Sequence, residues 1–174
     1  MIELYKPDMY KKDIYSIDYK KLKSFGIKCI LFDLDNTLVP YYRSRPTRKI
    51  KDFIENLKDL GFKVILFSNS TKKRLVPFKD ILELDCSASS HKPFSKKFKK
   101  VLKEYKYSES EVAIIGDQIP MDIYGGNRVG IFTVLVNPIS SREPIWTKCN
   151  RIYEKHVIKK MRKKGIFKRG EYYE

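Results

Sequence analysis

The feature that most restricts the fold is a series of short apolar runs, each stopped by a polar cluster and followed by residues at helical spacing. Ile27 to Leu34 is nearly continuous apolar sequence, the pattern of a strand buried on both faces of a parallel sheet. After the loop Pro40-Tyr41-Tyr42-Arg43-Ser44-Arg45-Pro46, Ile50, Phe53, Ile54, Leu57 and Leu60 fall on one helical stripe that Gly61 stops. Phe62 to Phe67 is a second run, and Ser68-Asn69-Ser70 behind it suits the N-cap of a helix reaching about Leu82. Leu84 to Ala88 reads as a short third strand, and Phe94, Phe98, Val101, Leu102 and Tyr105 trace a further amphipathic helix. Val112 to Ile115 gives a fourth strand ending at Gly116-Asp117. A short helix then runs from about Met121 to near Gly130, and Ile131 to Val136 is a fifth strand. This alternation predicts an α/β domain, doubly wound around a parallel sheet.

The flanks are less regular. Residues 1–26 read as a lead-in with one or two short helices, residues 27–149 as the core, and residues 150–174 as a basic helical tail with Ile152, Val157, Ile158 and Met161 as its apolar face. A chain of 174 residues, 42% apolar and carrying 10 Phe and 12 Tyr, can bury one core without staples. No apolar run approaches the ~20 residues needed to cross a bilayer. Met1 to Asp8 carries early acidic residues and no apolar leader core, so a cytoplasmic protein is expected. Cys29, Cys86 and Cys149 show no metal or redox spacing and are expected to be reduced, with Cys29 a small core residue. The two histidines, His91 and His156, exclude a multi-histidine metal site, and His91 reads as a loop residue.

The net charge of +16, from 37 basic and 21 acidic residues, favours polyanionic partners such as nucleic acid or an anionic membrane face. Charge by itself does not choose between them, or between either and a Lys-rich solvated surface.

In open α/β sheets ligands bind beyond the carboxyl ends of the strands. Here those ends are polar: Asp33-Leu34-Asp35-Asn36-Thr37 after the first strand, Ser68-Asn69 after the second, Gly116-Asp117 and then Asp122 after the fourth, with Lys92 in the connection after the third. Carboxylates gathered at one edge repel one another unless a cation sits among them, and hard oxygen donors suit Mg²⁺ held together with a substrate phosphate. A phosphate substrate needs a nucleophile, a proton donor for the leaving oxygen and donors for the remaining oxygens, and this set supplies each.

Asp33-Leu34-Asp35-Asn36-Thr37-Leu38, Ser68-Asn69, Lys92 and Gly116-Asp117-Gln118-Ile119-Pro120-Met121-Asp122 resemble, in order and spacing, the four motifs of the haloacid dehalogenase superfamily, over about Ile27 to Val136. The resemblance implies a Rossmann-like fold with Asp33 as nucleophile, also touching the metal, and Asp35 as general acid and then base. The carbonyl of Asp35 and the carboxylate of Asp117 would complete a Mg²⁺ site, with Asp122 supporting it and Thr37 fixing the turn. Ser68 and the Asn69 N–H would hold a phosphoryl oxygen, and Lys92 would neutralise phosphate and Asp33. Lys96 and Lys97 read as a solvated helix face, and Gly125 and Gly126 as packing or turn glycines.

About thirty residues separate Asp35 from Ser68 and about twenty separate Ser68 from Lys92, fewer than the ~40 a folded unit needs, so no cap domain is expected over the site. An uncapped site excludes water poorly unless a large substrate or a surface covers it. With the lead-in and basic tail, the stretch Gly116 to Gly130 is similar to the uncapped subfamily IIIA, which includes phosphatidylglycerophosphate phosphatases of bacteria and mitochondria. That resemblance implies removal of the terminal phosphate from phosphatidylglycerophosphate, a lipid-borne phosphomonoester; such a substrate lies in an anionic leaflet that attracts basic segments, so peripheral contact with the inner face of the membrane is expected. Lys72, Lys73, Arg74, the cluster Lys159 to Lys164 and the loop Tyr41, Tyr42, Arg43, Arg45 are candidates for the contact. Another phosphomonoester, carried by a protein, a nucleic-acid end or a sugar, and a non-enzymatic RNA- or ribosome-binding role stay open. The intact motif set disfavours the nucleic-acid binder, and an oligomer in which a neighbour covers the site is compatible with the sequence.

Overall fold

In the computed structural model, which describes residues 2–174, the apolar runs form parallel strands: β2 (Cys29–Phe32), β3 (Lys63–Phe67), β4 (Asp85–Ser87), β5 (Val112–Gly116) and β6 (Phe132–Leu135). A sixth strand, β1 (Met9–Tyr10), comes from the lead-in, where five strands in all were expected. Two residues are too few to show a period of two, so only its pairing, Met9 with Val134 and Tyr10 with Leu135, reveals it. The Asp8 carboxylate fixes this edge by accepting from the N–H and hydroxyl of Thr133, at 2.8 and 2.9 Å.

The order β1-β6-β5-β2-β3-β4 places β2 at the point where the winding reverses, with β3 on one side and β5 on the other. That is where a doubly wound sheet opens a crevice for ligands. Alternate residues of each strand enter opposite layers, so both faces are dry. Ile30, Phe32, Leu66 and Ile115 pack towards α2 (Arg48–Asp59) and α3 (Lys72–Leu82), through Ile54, Leu57, Leu75 and Phe78. Cys29, Leu31, Phe67 and Ile114 pack on the other side with Phe98 and Val101 of α4 (Ser95–Tyr105). Burial pushes the Cys29 thiol up to about 12, which leaves it an inert core residue.

Local chemistry explains most element ends. Thr47 caps α2 by accepting from the Ile50 N–H at 3.3 Å. The cap of α3 is Thr71 rather than the Ser68-Asn69-Ser70 cluster, so those three residues are left for the crevice. Between β2 and β3 the chain holds one loop and α2, and between β3 and β4 only α3, so no folded insertion covers the carboxyl edge. After β5 come a wide π-type turn (Ile119–Ile123) and α5 (Tyr124–Asn127).

The tail helix, α6 (Ile145–Lys163), begins before the expected Asn150 and is built into the domain. Val157 and Met161 are buried with Tyr10, Leu135, Ile119 and Ile123. Beyond it Phe167 is buried, and Tyr173 exchanges backbone hydrogen bonds with Tyr10 at 2.9 and 3.0 Å. The expected apolar face is split: Ile158 is partly buried on the inner side, but Ile152 points outward and is 70% exposed. Among the described residues no helix is long and apolar enough to cross a membrane.

Candidate active site

Phe32 lies level with Leu66 of β3 and Ile115 of β5, so Asp33, Ser68 and Asp117 leave the sheet at one edge. The site is organised around Lys92, which is 5% exposed. Its Nζ donates to Asp33 Oδ1 at 2.7 Å and to Asp122 Oδ1 at 2.6 Å. Asn69 fixes the Lys92 backbone from both sides, accepting from its N–H at 2.7 Å and donating to its carbonyl at 3.1 Å. Asn69 was expected to contribute through its own N–H; its side chain has this further task. Burial acts to lower the Lys92 pKa, but the Asp122 and Asp33 carboxylates outweigh it and hold the ammonium above the usual lysine range.

Asp33, Asp117 and Asp122 each offer an oxygen within 4.8 Å of the others, and all three are buried. Asp122, expected as a supporting residue, thus stands inside the cluster. Burial raises the Asp33 carboxyl well above its ordinary value against the pull of Lys92, and pushes Asp117 up to about 6 against the pull of Arg151. The cluster is short of positive charge, and its donors are hard oxygens, so it fits a divalent cation of the Mg²⁺ type.

Asp117 is held on both oxygens. Thr37, expected to fix the turn, donates from its hydroxyl to Oδ1 at 3.1 Å. Arg151 of α6 donates to Oδ2 and, at 2.8 Å, to the Asp117 carbonyl. The same guanidinium reaches Glu143 at 2.7 Å and Glu154 at 3.0 Å, and Glu154 accepts from the Ile119 N–H at 2.8 Å. Sequence reasoning missed Arg151, Glu143 and Glu154. The spacing of Arg151 and Glu154 marks a helical ion pair, but nothing in the sequence links it to Asp117.

Asp35 lies at the mouth. Its Oδ2 accepts from Ser70 Oγ at 2.6 Å, and its Oδ1 accepts from Arg74 Nη2 at 2.7 Å. Arg74 was grouped with Lys72 and Lys73 as surface charge; instead it turns into the crevice and also donates to the carbonyls of Tyr41 and Arg43. Ser68 is buried, and its Oγ accepts from the Ser70 N–H at 3.2 Å. Around these groups is a cleft of about 390 Å³, floored by Asp33, Ser68 and Lys92 and walled by Tyr41, Met121 and Trp146. His91, Lys96 and Lys97 do not line it.

Gly116 explains why a glycine precedes Asp117. A Cβ there would lie 2.2 Å from Cγ and Oδ2 of Asp122, so any side chain would expel that carboxylate from Lys92. Gly116→Ala is expected to cost about 1–3 kcal/mol of stability and to weaken divalent-cation binding. Denaturant unfolding and cation titration check this, and wild-type behaviour on both counts would refute the steric account. Gly126 is a packing glycine, since a Cβ there would meet Thr133 and Ile114 at 2.7 and 2.8 Å.

Residues 41–130, which include Ser68, Lys92, Asp117 and Asp122, match the family model of haloacid dehalogenase-like hydrolases. The chain is 34% identical over 159 residues to "Probable phosphatase YqeG" of Bacillus subtilis, covering 91% of this chain and 92% of that one. The chain belongs to the haloacid dehalogenase-like hydrolase family. It is also 31% identical over 170 residues to phosphatidylglycerophosphate phosphatase 1, chloroplastic/mitochondrial, of Arabidopsis thaliana, covering 92% of this chain and 49% of that protein. The chain therefore spans about half the length of this plant relative. In fold it is similar to a HAD superfamily (subfamily III A) hydrolase of Legionella pneumophila, with a TM-score of 0.53 and 17% identity over 70% of this chain and 72% of the other. The HAD-like sheet without a cap, expected from the motifs, is the observed architecture.

Proposed function

We propose that this hydrolase is a Mg²⁺-dependent phosphomonoesterase that passes through an aspartyl phosphate on Asp33 and acts on a lipid-borne phosphate of the phosphatidylglycerophosphate type. The observation that carries the chemistry is Lys92, on the floor of an uncapped cleft beside Asp33, bridging Asp33 to the buried Asp122 behind it. An Asp33 oxygen attacks phosphorus, the ester P–O bond breaks, and the leaving oxygen takes a proton from Asp35. Water then attacks the same phosphorus, gives a proton to Asp35 and breaks the Asp33–phosphorus bond, releasing inorganic phosphate. Ser68 and the Asn69 N–H hold a phosphoryl oxygen just before the α3 N-terminus, and Lys92 balances the charge. Asp33, the Asp35 carbonyl and Asp117 would hold Mg²⁺, with Asp122 beside them. The cation would neutralise the phosphoryl oxygens. Asp35 does its part after releasing Arg74, which lies where an incoming anion arrives.

The lipid assignment is supported by the plant relative's name, by the uncapped cleft and by the charge of +16. A panel of phosphatidylglycerophosphate in vesicles, soluble sugar phosphates, a phosphopeptide and 5′-phosphorylated RNA tests it. The lipid is expected to give the highest kcat/KM by at least ~10-fold, since a pocket without a cap gains selectivity from what surrounds it. A preference for any soluble substrate would remove the lipid assignment and leave the chemistry standing.

A further inference from the structure

Helix α6 has two apolar faces, and the fold buries only one of them. Val157 and Met161 face the sheet, together with the buried carboxylate of Glu154. On the outward side Ile145, Trp146 and Ile152 are 75, 70 and 70% exposed, and Tyr153, at 49%, borders them with its hydroxyl 2.8 Å from that of Tyr5. With Cys149, also exposed, they recur at the spacing that puts residues on one side of a helix. Further along the same side, Lys159, Lys160 and Lys163 continue the stripe as positive charge, and Lys148 and Lys155 border it. The first turn of α6 forms a wall of the catalytic cleft through Trp146, Thr147 and Asn150.

We infer that the outward face of α6 seats the protein on an anionic bilayer, with the cleft mouth at the lipid–water boundary; this rests on the lipid-borne reading of the substrate. The occupant follows from the chemistry of the stripe. Its centre is apolar with a Trp and a Tyr, side chains that favour the headgroup level, and its border and continuation are lysines, as in helices that lie in a membrane interface. A second copy would set one lysine border against another on chains that each carry +16, whereas an anionic leaflet complements both parts. A Trp on the wall of the cleft brings a lipid headgroup to Asp33 without the lipid leaving its leaflet.

Trp146 is the single tryptophan of the chain, so its fluorescence reads this face directly. The probes are phosphatidylcholine vesicles with and without phosphatidylglycerol, brominated in the acyl chains and free of any phosphomonoester. A blue shift and quenching are expected with phosphatidylglycerol and not with phosphatidylcholine alone. Ile145→Gln combined with Ile152→Gln should require roughly tenfold or more lipid for the same signal, with melting temperature and turnover of a soluble aryl phosphate unchanged. Lys155→Glu with Lys159→Glu, on exposed positions, should remove the preference for phosphatidylglycerol. No shift on anionic vesicles, undiminished partition of both variants, or a concentration-dependent dimer that buries Trp146 without lipid would overturn the inference. Because these vesicles carry no substrate, docking and lipid hydrolysis fail independently: binding without turnover of the lipid phosphate removes the substrate assignment, and turnover in detergent without binding removes the docking face.

Discussion

Asp33→Asn is expected to reduce cation-dependent phosphate release from an aryl phosphate by roughly 10⁴-fold or more, because an amide is no nucleophile towards phosphorus. The substitution keeps the shape of the side chain, and Lys92 retains Asp122 at 2.6 Å, so the ammonium is not left without a counter-charge. Burial already raises the Asp33 carboxyl, and losing that charge removes a desolvation cost. The variant should therefore melt close to the wild type while being inactive. Acid quenching during turnover supplies the second reading: intact mass should show one added phosphoryl group on the wild type and none on Asp33→Asn. A variant that still turns over, or still gains the adduct, would move the nucleophile elsewhere.

Arg151→Met is expected to cost about 3–5 kcal/mol of stability. The guanidinium is shared by Asp117, Glu154 and Glu143, whose side chains are 0, 2 and 7% exposed. Methionine fills part of the volume and none of the charge. Arg169 still reaches Glu154 at 3.4 Å, but the other two carboxylates lose their cation. Burial already drives the Asp117 carboxyl up, and Arg151 is the largest opposing influence, so its loss drives it further. Arg151→Lys should recover only part of the loss, since one ammonium cannot reproduce the planar fork. Denaturant unfolding with and without a divalent cation measures this, and the deficit should narrow when the cation is present. A cost within ~0.5 kcal/mol would mean that the network contributes nothing net to folding.

The parts of the molecule that were legible in the sequence are those in which neighbours along the chain share one environment. β2, β3 and β5 are buried on both faces and read as unbroken apolar runs, and their ends deliver Asp33, Ser68 and Asp117 to one edge because parallel strands in register stop together. Lys92 was legible through its place in the order of motifs. What was not legible depends on pairs remote in the chain. β1 has two residues and exists because β6 is there. Arg74 looks like its neighbours Lys72 and Lys73 until the turn of α3 aims it at Asp35. Arg151 belongs to a tail whose lysine content suggests a solvated helix, yet it completes the partners of Asp117. Ile152 shows the limit of a periodicity argument: the apolar residues of α6 fall on two opposite sides, and spacing read as one face merges them.

The Arg151 contact also sets an order of events during synthesis. By the time the ribosome has released β6, every strand-end segment of the site is outside, including Asp33, Lys92 and the Asp117 loop. The guanidinium that balances Asp117 comes from a helix made only afterwards, and Tyr173, which pairs with β1, later still. A nascent chain at that stage would thus hold Asp33, Lys92 and Asp117 together without the Arg151 charge that balances Asp117, and β1 without its Tyr173 partner. The surroundings of Asp117 are therefore completed by contacts that form only after the sheet itself has been made.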